Sequence, residues 1–536
     1  MGSSHILGGS MNTESKRHSF RNLIQSLPDY VRVCLISTFV WGLLSHGIAL
    51  TNKFSLADDI HFLFSVGYTT VSGRWFLGVL GKLVSFLFGS PNFSLPLFGG
   101  LLTIFFTSLS SCVLVHWMDL KSKISWILVS GLLITYPVMS GLFFYNFTAP
   151  YYMFGLCLLF CGASILCRHR GIRPFLVGIV LMALSTSIYQ AFIPLLLSLL
   201  LTFFIKEVLF SDSWDIRELI QEICWYCGAC LAMLLLYLLS VKVSTALFQQ
   251  DLLAYKGISS MGSASLVGYL QRIKLAIYLF FFPAKADRYA FIFPYRLLDC
   301  YCLTLVLLLL LGIINAYSAF RHNLIKGISV LLALAFFPLS TNFIYVACDP
   351  EDVYSLMQFG LLSPFLLACC LSDWRTLPTL RYGPLRTVVA VVLSIFCLFS
   401  VRMDNAVYAK ANFAQTRTRS YFTTMVTQIK STPGYTADTP VVYIGDISKF
   451  NDPTFQGLSG FSSLSMTPLP YDETPFGVIC TAYDWQEYLN LWCGFNPPQA
   501  DAADFSVLPE VQAMPSYPDS GSIRMINDIL VIKLQK

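Results

Sequence analysis

Between residues 31 and 402 the chain returns repeatedly to apolar runs long enough to cross a bilayer. A spanning helix needs about 20 mostly apolar residues. Eleven runs qualify, near 31–50, 95–116, 124–145, 151–167, 174–188, 190–205, 223–246, 300–319, 326–346, 353–371 and 386–402. Only 12% of the 536 residues are charged and 55% are hydrophobic, against about 25% charged in soluble domains. So few charges cannot solvate an aqueous surface. The chain is therefore expected to be a polytopic α-helical membrane protein with about 11 transmembrane helices, solvated partly by membrane lipids, and no nucleic-acid partner is expected.

The placement of Lys and Arg orients these spans, because cytoplasmic loops carry the excess. With the N-terminus cytoplasmic, the inner loops and ends receive 16 of the 35 basic residues, among them Lys121, Lys123, Arg168, Arg170, Arg173, Lys206, Arg217, Arg321, Lys326, Arg375, Arg381 and Arg386. The short outer loops near Asn146–Pro150, Thr186–Gln190 and Ala347–Asp352 contain none. The stretch 75–90 is apolar but holds Lys82 and several glycines. Treating it as a span would invert every later loop, so it reads as a helix lying in the interface. The run 174–205 is interrupted by Ser185, Thr186, Ser187, Tyr189, Gln190 and Pro194, which predicts two short spans joined by an outer hinge.

Domain boundaries follow from the same pattern. Residues 1–10 (MGSSHILGGS) read as an expression scar, with Met11 as the native start and no cleavable signal peptide after it. Residues 11–402 form the membrane module, with large outer loops at 51–94 and 247–299. Residues 403–536 are expected to form a small α/β domain outside the membrane. It begins with a polar helix-like stretch to Lys430 and continues with strands at Val441–Ile444, Phe476–Ile479 and Ile529–Ile532. Most of the 16 cysteines lie in apolar runs and behave as small hydrophobes. Cys480 and Cys493 lie in the tail, where a disulfide is one of two open readings.

Chemistry concentrates in few places. Ser55-Leu-Ala-Asp58-Asp59-Ile60-His61 puts two adjacent carboxylates just beyond the first span. A carboxylate is suited to deprotonate an attacking hydroxyl. Ser55 with Asp58 also resembles a capping box, which would give Asp58 a structural role and leave Asp59 as the base. His61 is a candidate sugar or acceptor contact. In Ser72-Gly73-Arg74-Trp75-Phe76, Arg74 either binds a lipid-linked phosphate or anchors the interface. Tyr189 and Gln190 at the hinge can hydrogen-bond sugar hydroxyls or close a polar turn. The loop 247–299 carries Arg272, Lys274, Lys285, Asp287, Arg288 and Arg296 among aromatics, a cluster able to hold a phosphate leaving group. Arg288 is the preferred member, backed by Lys285 and Arg272. Asp349-Pro350-Glu351-Asp352 is a solvated outer loop or a site for a divalent cation, and no metal site is otherwise expected. Nucleotide-binding glycine loops, HExxH and a nucleophile elbow are absent from the sequence. No inner segment is long enough for a nucleotide-sugar domain, which directs attention to a lipid-linked donor.

Three of these segments in order, Leu56-Ala57-Asp58-Asp59, Ser72-Gly73-Arg74-Trp75-Phe76 and Ile188-Tyr189-Gln190-Ala191-Phe192, resemble the Gtr-type glucosyltransferases of the GT-C membrane class, which modify O-antigen. The resemblance covers roughly the first 400 residues in organisation. It implies glucosyl transfer from undecaprenyl-phosphate glucose to O-antigen (lipopolysaccharide) repeat units, changing serotype. It further implies inversion at the anomeric carbon, an Asp base and basic residues on the donor phosphate. A bacterial inner-membrane location with a periplasmic tail is implied too, as is partnership with a flippase and a donor synthase. A transporter or flippase of a lipid-linked sugar, or an enzyme modifying lipid A, are the alternatives. A conduit would place its ionisable residues deep in the spans, whereas here they concentrate at the outer boundary and in loops.

Overall fold

A computed structural model describes residues 26–54, 57–253, 264–287, 289–374, 383–445 and 485–534. The segment 1–10, Ser55, Arg288, Arg375, Arg381, the strand expected at Phe476–Ile479 and Cys480 lie outside the described residues. The helices are α1 (Asp29–Thr51), α2 (Ala57–His61), α3 (Trp75–Phe88), α4 (Pro96–Trp117), α5 (Lys123–Thr135), α6 (Pro137–Leu142), α7 (Ala149–Arg168), α8 (Ile172–Thr186) and α9 (Ile193–Phe210). They continue with α10 (Ile216–Phe248), α11 (Leu266–Phe281), α12 (Arg296–His322), α13 (Leu324–Thr341), α14 (Ile344–Ala347), α15 (Ser363–Asp373), α16 (Gly383–Ser431) and α17 (Trp485–Cys493). Among the described residues nine helices, some counted with an adjoining 3₁₀ turn, are long and apolar enough to cross a membrane.

Local chemistry sets the breaks. The run 124–145, expected as one span, is two helices, because Pro137 has no N–H to donate and forces Tyr136 into an extended ψ of 135°. The hinge expected within 174–205 is present: α8 ends at Thr186, and a 3₁₀ turn at Gln190–Phe192 leads into α9 with Pro194 in its first turn. A second 3₁₀ segment, Ser355–Leu362, kinks at Gln358 and feeds α15. With 14 residues, α3 is about 21 Å long, too short to cross a ~30 Å hydrocarbon core. Helix α10 is longer than its apolar run, because Asp215 caps it in a reciprocal box with Glu218.

The bundle packs through small residues and aromatics. Between α7 and α8, a Cβ on Gly162 would sit 2.8 Å from the Gly178 carbonyl oxygen, so only glycine allows this backbone approach. Phe293, Tyr301, Phe365 and Phe396 stack in the interior, the last two with ring centroids 4.0 Å apart. The helix ends expected to be cytoplasmic meet at one end of the molecule. There Asp373 accepts from the Lys121 backbone N–H (2.7 Å), Ser125 (2.9 Å) and Arg386 (3.1 Å), and Arg168 donates to the His116 carbonyl (2.7 Å).

Helix α16 runs through residue 402 without a break, so the backbone shows no joint between span and tail. At 1.5 Å per residue its 49 residues extend about 73 Å, far beyond a bilayer core. The turns just past 402 are not solvated: Asp404 and Tyr408 are fully buried, bonded to Ser45 and to His46 (2.7 Å) of α1. After α16 come β1 (Val441–Ile444), β2 (Ile523–Ile526) and β3 (Ile529–Lys533) in the order β1-β3-β2, with β1 parallel and β2 antiparallel to β3. β1 and β3 coincide with predicted strands. β2 was not expected, and it joins β3 through Asn527-Asp528, both at positive φ (51° and 62°) as a tight primed hairpin turn requires.

Candidate active site

The first outer loop folds its two carboxylates to different fates. Asp59 on α2 is fully buried, and its carboxylate receives Lys53 and Ser94. Lys53 also donates to the Ser94 hydroxyl at 2.8 Å. Burial raises the Asp59 pKa above the usual carboxylate value, while Lys53 and Ser94 pull it back. Asp58 is exposed. Neighbouring residues on a helix point about 100° apart, so one carboxyl anchors the loop and the other faces outward. His61 is half-exposed, and its Nδ1 lies 3.1 Å from Glu487 Oε1 on α17. Helix α17 therefore touches the acidic helix directly.

The second and third motifs interlock. Arg74 Nε donates to Gln190 Oε1 (3.2 Å) and its Nη1 to the Tyr152 hydroxyl (2.9 Å). The Gln190 amide donates to the Ser72 carbonyl (2.9 Å) and to the Tyr237 hydroxyl (3.0 Å), and Tyr237 donates to the Gly73 carbonyl (3.3 Å). Gly73 lies at φ 71°, and a Cβ there would meet the Tyr237 oxygen at 2.7 Å, so the sequence needs glycine. The guanidinium rests 5.1 Å from the Tyr189 ring centroid, and Tyr189 stacks on Tyr152 at 4.3 Å. Tyr189 donates to the Leu356 carbonyl (2.8 Å), and Tyr354 lies beside both Tyr189 and Arg74. Among the described residues no carboxylate pairs with Arg74, whose partners are all neutral. A half-buried guanidinium with five donors and only neutral partners is a ready anion site.

The loop 247–299 reaches this cluster through backbone: the Ser355 N–H donates to the Tyr289 carbonyl (2.7 Å), next to Tyr354. Arg272 on α11 is engaged elsewhere, donating to Asp349 Oδ2 at 2.8 Å. Lys285 is exposed in the 3₁₀ turn Pro283–Lys285. Arg288 lies outside the described residues. Asp349 also caps the Glu351 N–H (3.2 Å), and among the described residues no three His, Cys, Asp or Glu side chains converge as metal ligands. The sequence reading missed Lys53, Ser94, Tyr152, Tyr237, Tyr354 and Glu487. Lys53 carried a signal, being a basic residue directly beyond a span and six residues before Asp59. Nothing in the local sequence marks the others.

Fold and site define a helical membrane protein whose polar chemistry gathers at the end opposite its basic loops. The family described as Glucosyl transferase GtrII matches residues 47–365. That is more than half of the chain, and the protein belongs to this family of glucosyl transferases. The match opens in the last turn of α1 and closes in α15, so it takes in Asp58, Asp59, Arg74, Tyr189 and Gln190 and stops before α16. No curated protein and no solved structure matches the chain.

Proposed function

We propose that the protein transfers a glucosyl group from undecaprenyl-phosphate glucose to O-antigen repeat units at the periplasmic face of the bacterial inner membrane, as a GT-C enzyme of about 11 spans. The observation that carries this reading is the division of labour in the acidic pair. Asp59, tied to Lys53 and Ser94, fixes α2, and Asp58 is left at the surface as the base. Asp58 takes the proton from the acceptor hydroxyl as that oxygen attacks the anomeric carbon. The glycosyl–phosphate bond breaks on the opposite face of the sugar, inverting the centre, and the phosphate leaves with the bonding electrons. Arg74 meets that growing charge in a desolvated site. Lys285 and Arg288 are proposed as further phosphate contacts, and Arg272 as the residue that holds their loop through Asp349. Tyr189 and Gln190 hold Arg74, and His61 with Glu487 borders the acceptor side. The donor synthase and flippase supply the lipid-linked glucose.

The test is transfer by purified protein in nanodiscs from undecaprenyl-phosphate glucose to an O-antigen acceptor, run beside a proteoliposome assay for translocation of the same lipid. Product with an inverted anomeric centre supports the reading. Translocation without product would replace it with a flippase.

A further inference from the structure

The break between α5 and α6 lies inside the bundle, where α1 and α16 pass beside it, and polar side chains gather there. Ser45 and His46 of α1, Thr135 of α5, Ser140 of α6, and Ser400 and Asp404 of α16 are all fully buried. Ser45 donates to Asp404 Oδ2. Ser140 lies beside the same carboxyl and donates to the Pro137 carbonyl (2.8 Å). Asp404 Oδ1 is buried with no hydrogen-bond partner, and so are the hydroxyls of Ser400 and Thr135. Cys397, Ser400 and Asp404, spaced by three and then four residues, share one face of α16. Thr135 lies against Cys397 on that face. Three orphaned oxygens therefore border one contact between α16 and the broken helix.

A buried carboxylate needs a paired charge or a bound cation. Among the described residues no Lys or Arg acts on Asp404, and Arg402, two residues earlier, is exposed. His46 does not supply the charge. Its Nε2 carries the proton donated to the Ile134 carbonyl (2.8 Å), and Nδ1 accepts from the Tyr408 hydroxyl (2.7 Å), so the neutral ring is satisfied. The remaining oxygens are one carboxylate, two kinds of hydroxyl and the last carbonyls of α5. Pro137 has no N–H to offer the Leu133 carbonyl, and the negative end of the α5 dipole points at the break. This is a hard-oxygen donor set with a single negative charge. It balances a monovalent cation, whereas a divalent one would leave net charge in a low dielectric. Broken helices in membrane proteins hold alkali cations with donors of this kind.

We propose that Asp404, with Ser45, Ser400 and the end of α5, binds a dehydrated Na⁺ ion that clamps α16 to α1. The clamp bears on the outer loop. Tyr408, one turn beyond Asp404, lies parallel to Phe54 (3° between planes, centroids 6.1 Å apart). Phe54 follows Lys53, which holds Asp59. Further along α16 the Gln415 amide donates to the Lys53 carbonyl (2.9 Å). The ion therefore secures the two helices from which α2 is held, without touching the sugar-transfer site.

The test is a melting titration of the purified full chain in nanodiscs, with NaCl replacing choline chloride at constant ionic strength and fixed pH, beside equilibrium binding of radiolabelled Na⁺. The wild type is expected to bind Na⁺ saturably and to gain ~2 °C or more in Tm over the same concentrations, because a ligand of the folded state alone stabilises it. Asp404→Asn should abolish both. Ser400→Ala keeps the carboxylate and should weaken the apparent Na⁺ affinity about tenfold, the worth of one ligand to a charged group. Should Asp404→Asn fail to fold, Ser400→Ala and Ser45→Ala carry the test. Absence of saturable Na⁺ binding in the wild type overturns the proposal, as does an unaltered affinity in all variants that fold. A Tm that responds to pH but not to Na⁺, with the response lost in Asp404→Asn, overturns it too and makes Asp404 a buried neutral acid. Neither readout needs sugar transfer, so the result is independent of the donor and acceptor proposed above.

Discussion

At the scale of single residues, the sharpest feature is that two identical neighbours, Asp58 and Asp59, are made different by their surroundings. The sequence showed the pair and two roles for it. It could not say which carboxyl is buried, because the partners of Asp59, Lys53 and Ser94, lie just beyond the end of α1 and just before the start of α4. Asp59 has a testable acid–base signature. Burial raises its folded value, so the folded protein binds that proton more readily than the unfolded chain. The stability it contributes is complete below the free carboxyl value of about 3.9 and is lost as pH rises through the raised folded value. Melting curves from about pH 4 upward should show this fall in the wild type, and Asp59→Asn should remove that component. The sequence singled out Arg74, but not its cage of Tyr152, Tyr189 and Gln190, since that joins residues more than 70 apart. Arg74→Lys keeps the charge and loses the fork geometry. It is expected to raise the donor KM by about 10- to 100-fold, the worth of one charge-assisted hydrogen bond, as read in steady-state kinetics.

At the scale of elements, punctuation was easier to read than packing. Serine, threonine and proline around 185–194 announced the hinge, and it is there. Pro137 announced a break equally clearly, yet the apolar run through it read as one span, because hydropathy alone is blind to a missing N–H donor. The strand β2 is only four residues long and has no clean alternation, so the Asn527-Asp528 turn was its one available signal. Helix contacts depend on which residue lacks a side chain. Gly162→Leu should force α7 off α8, since even a Cβ lies 2.8 Å from a backbone oxygen. A lowered melting temperature in detergent, greater than that of a leucine at the open Gly47, checks this.

At the scale of the whole molecule, the basic loops and the polar clusters lie at opposite ends, which is what the charge pattern along the sequence encodes. The continuity of α16 was not legible, because polarity changes at 402 while the helix does not. Nor was the contact of α17 with α2 through Glu487 and His61, a pair 426 residues apart. This arrangement sets an expectation for topology. In a cysteine-depleted background, a cysteine at exposed Asp519 should react with a membrane-impermeant maleimide from the periplasm, and one at Lys121 should react only after the inner membrane is opened.

The claim that joins these scales is that Asp58 is the base and Asp59 its anchor. The most direct measurement is the turnover of purified Asp58→Asn and Asp59→Asn with undecaprenyl-phosphate glucose and O-antigen acceptor, with donor binding followed in the same samples. Asp58→Asn is expected to lose about 10²- to 10⁴-fold in kcat with donor affinity kept, and Asp59→Asn to retain much more turnover. Wild-type turnover in Asp58→Asn would contradict the account.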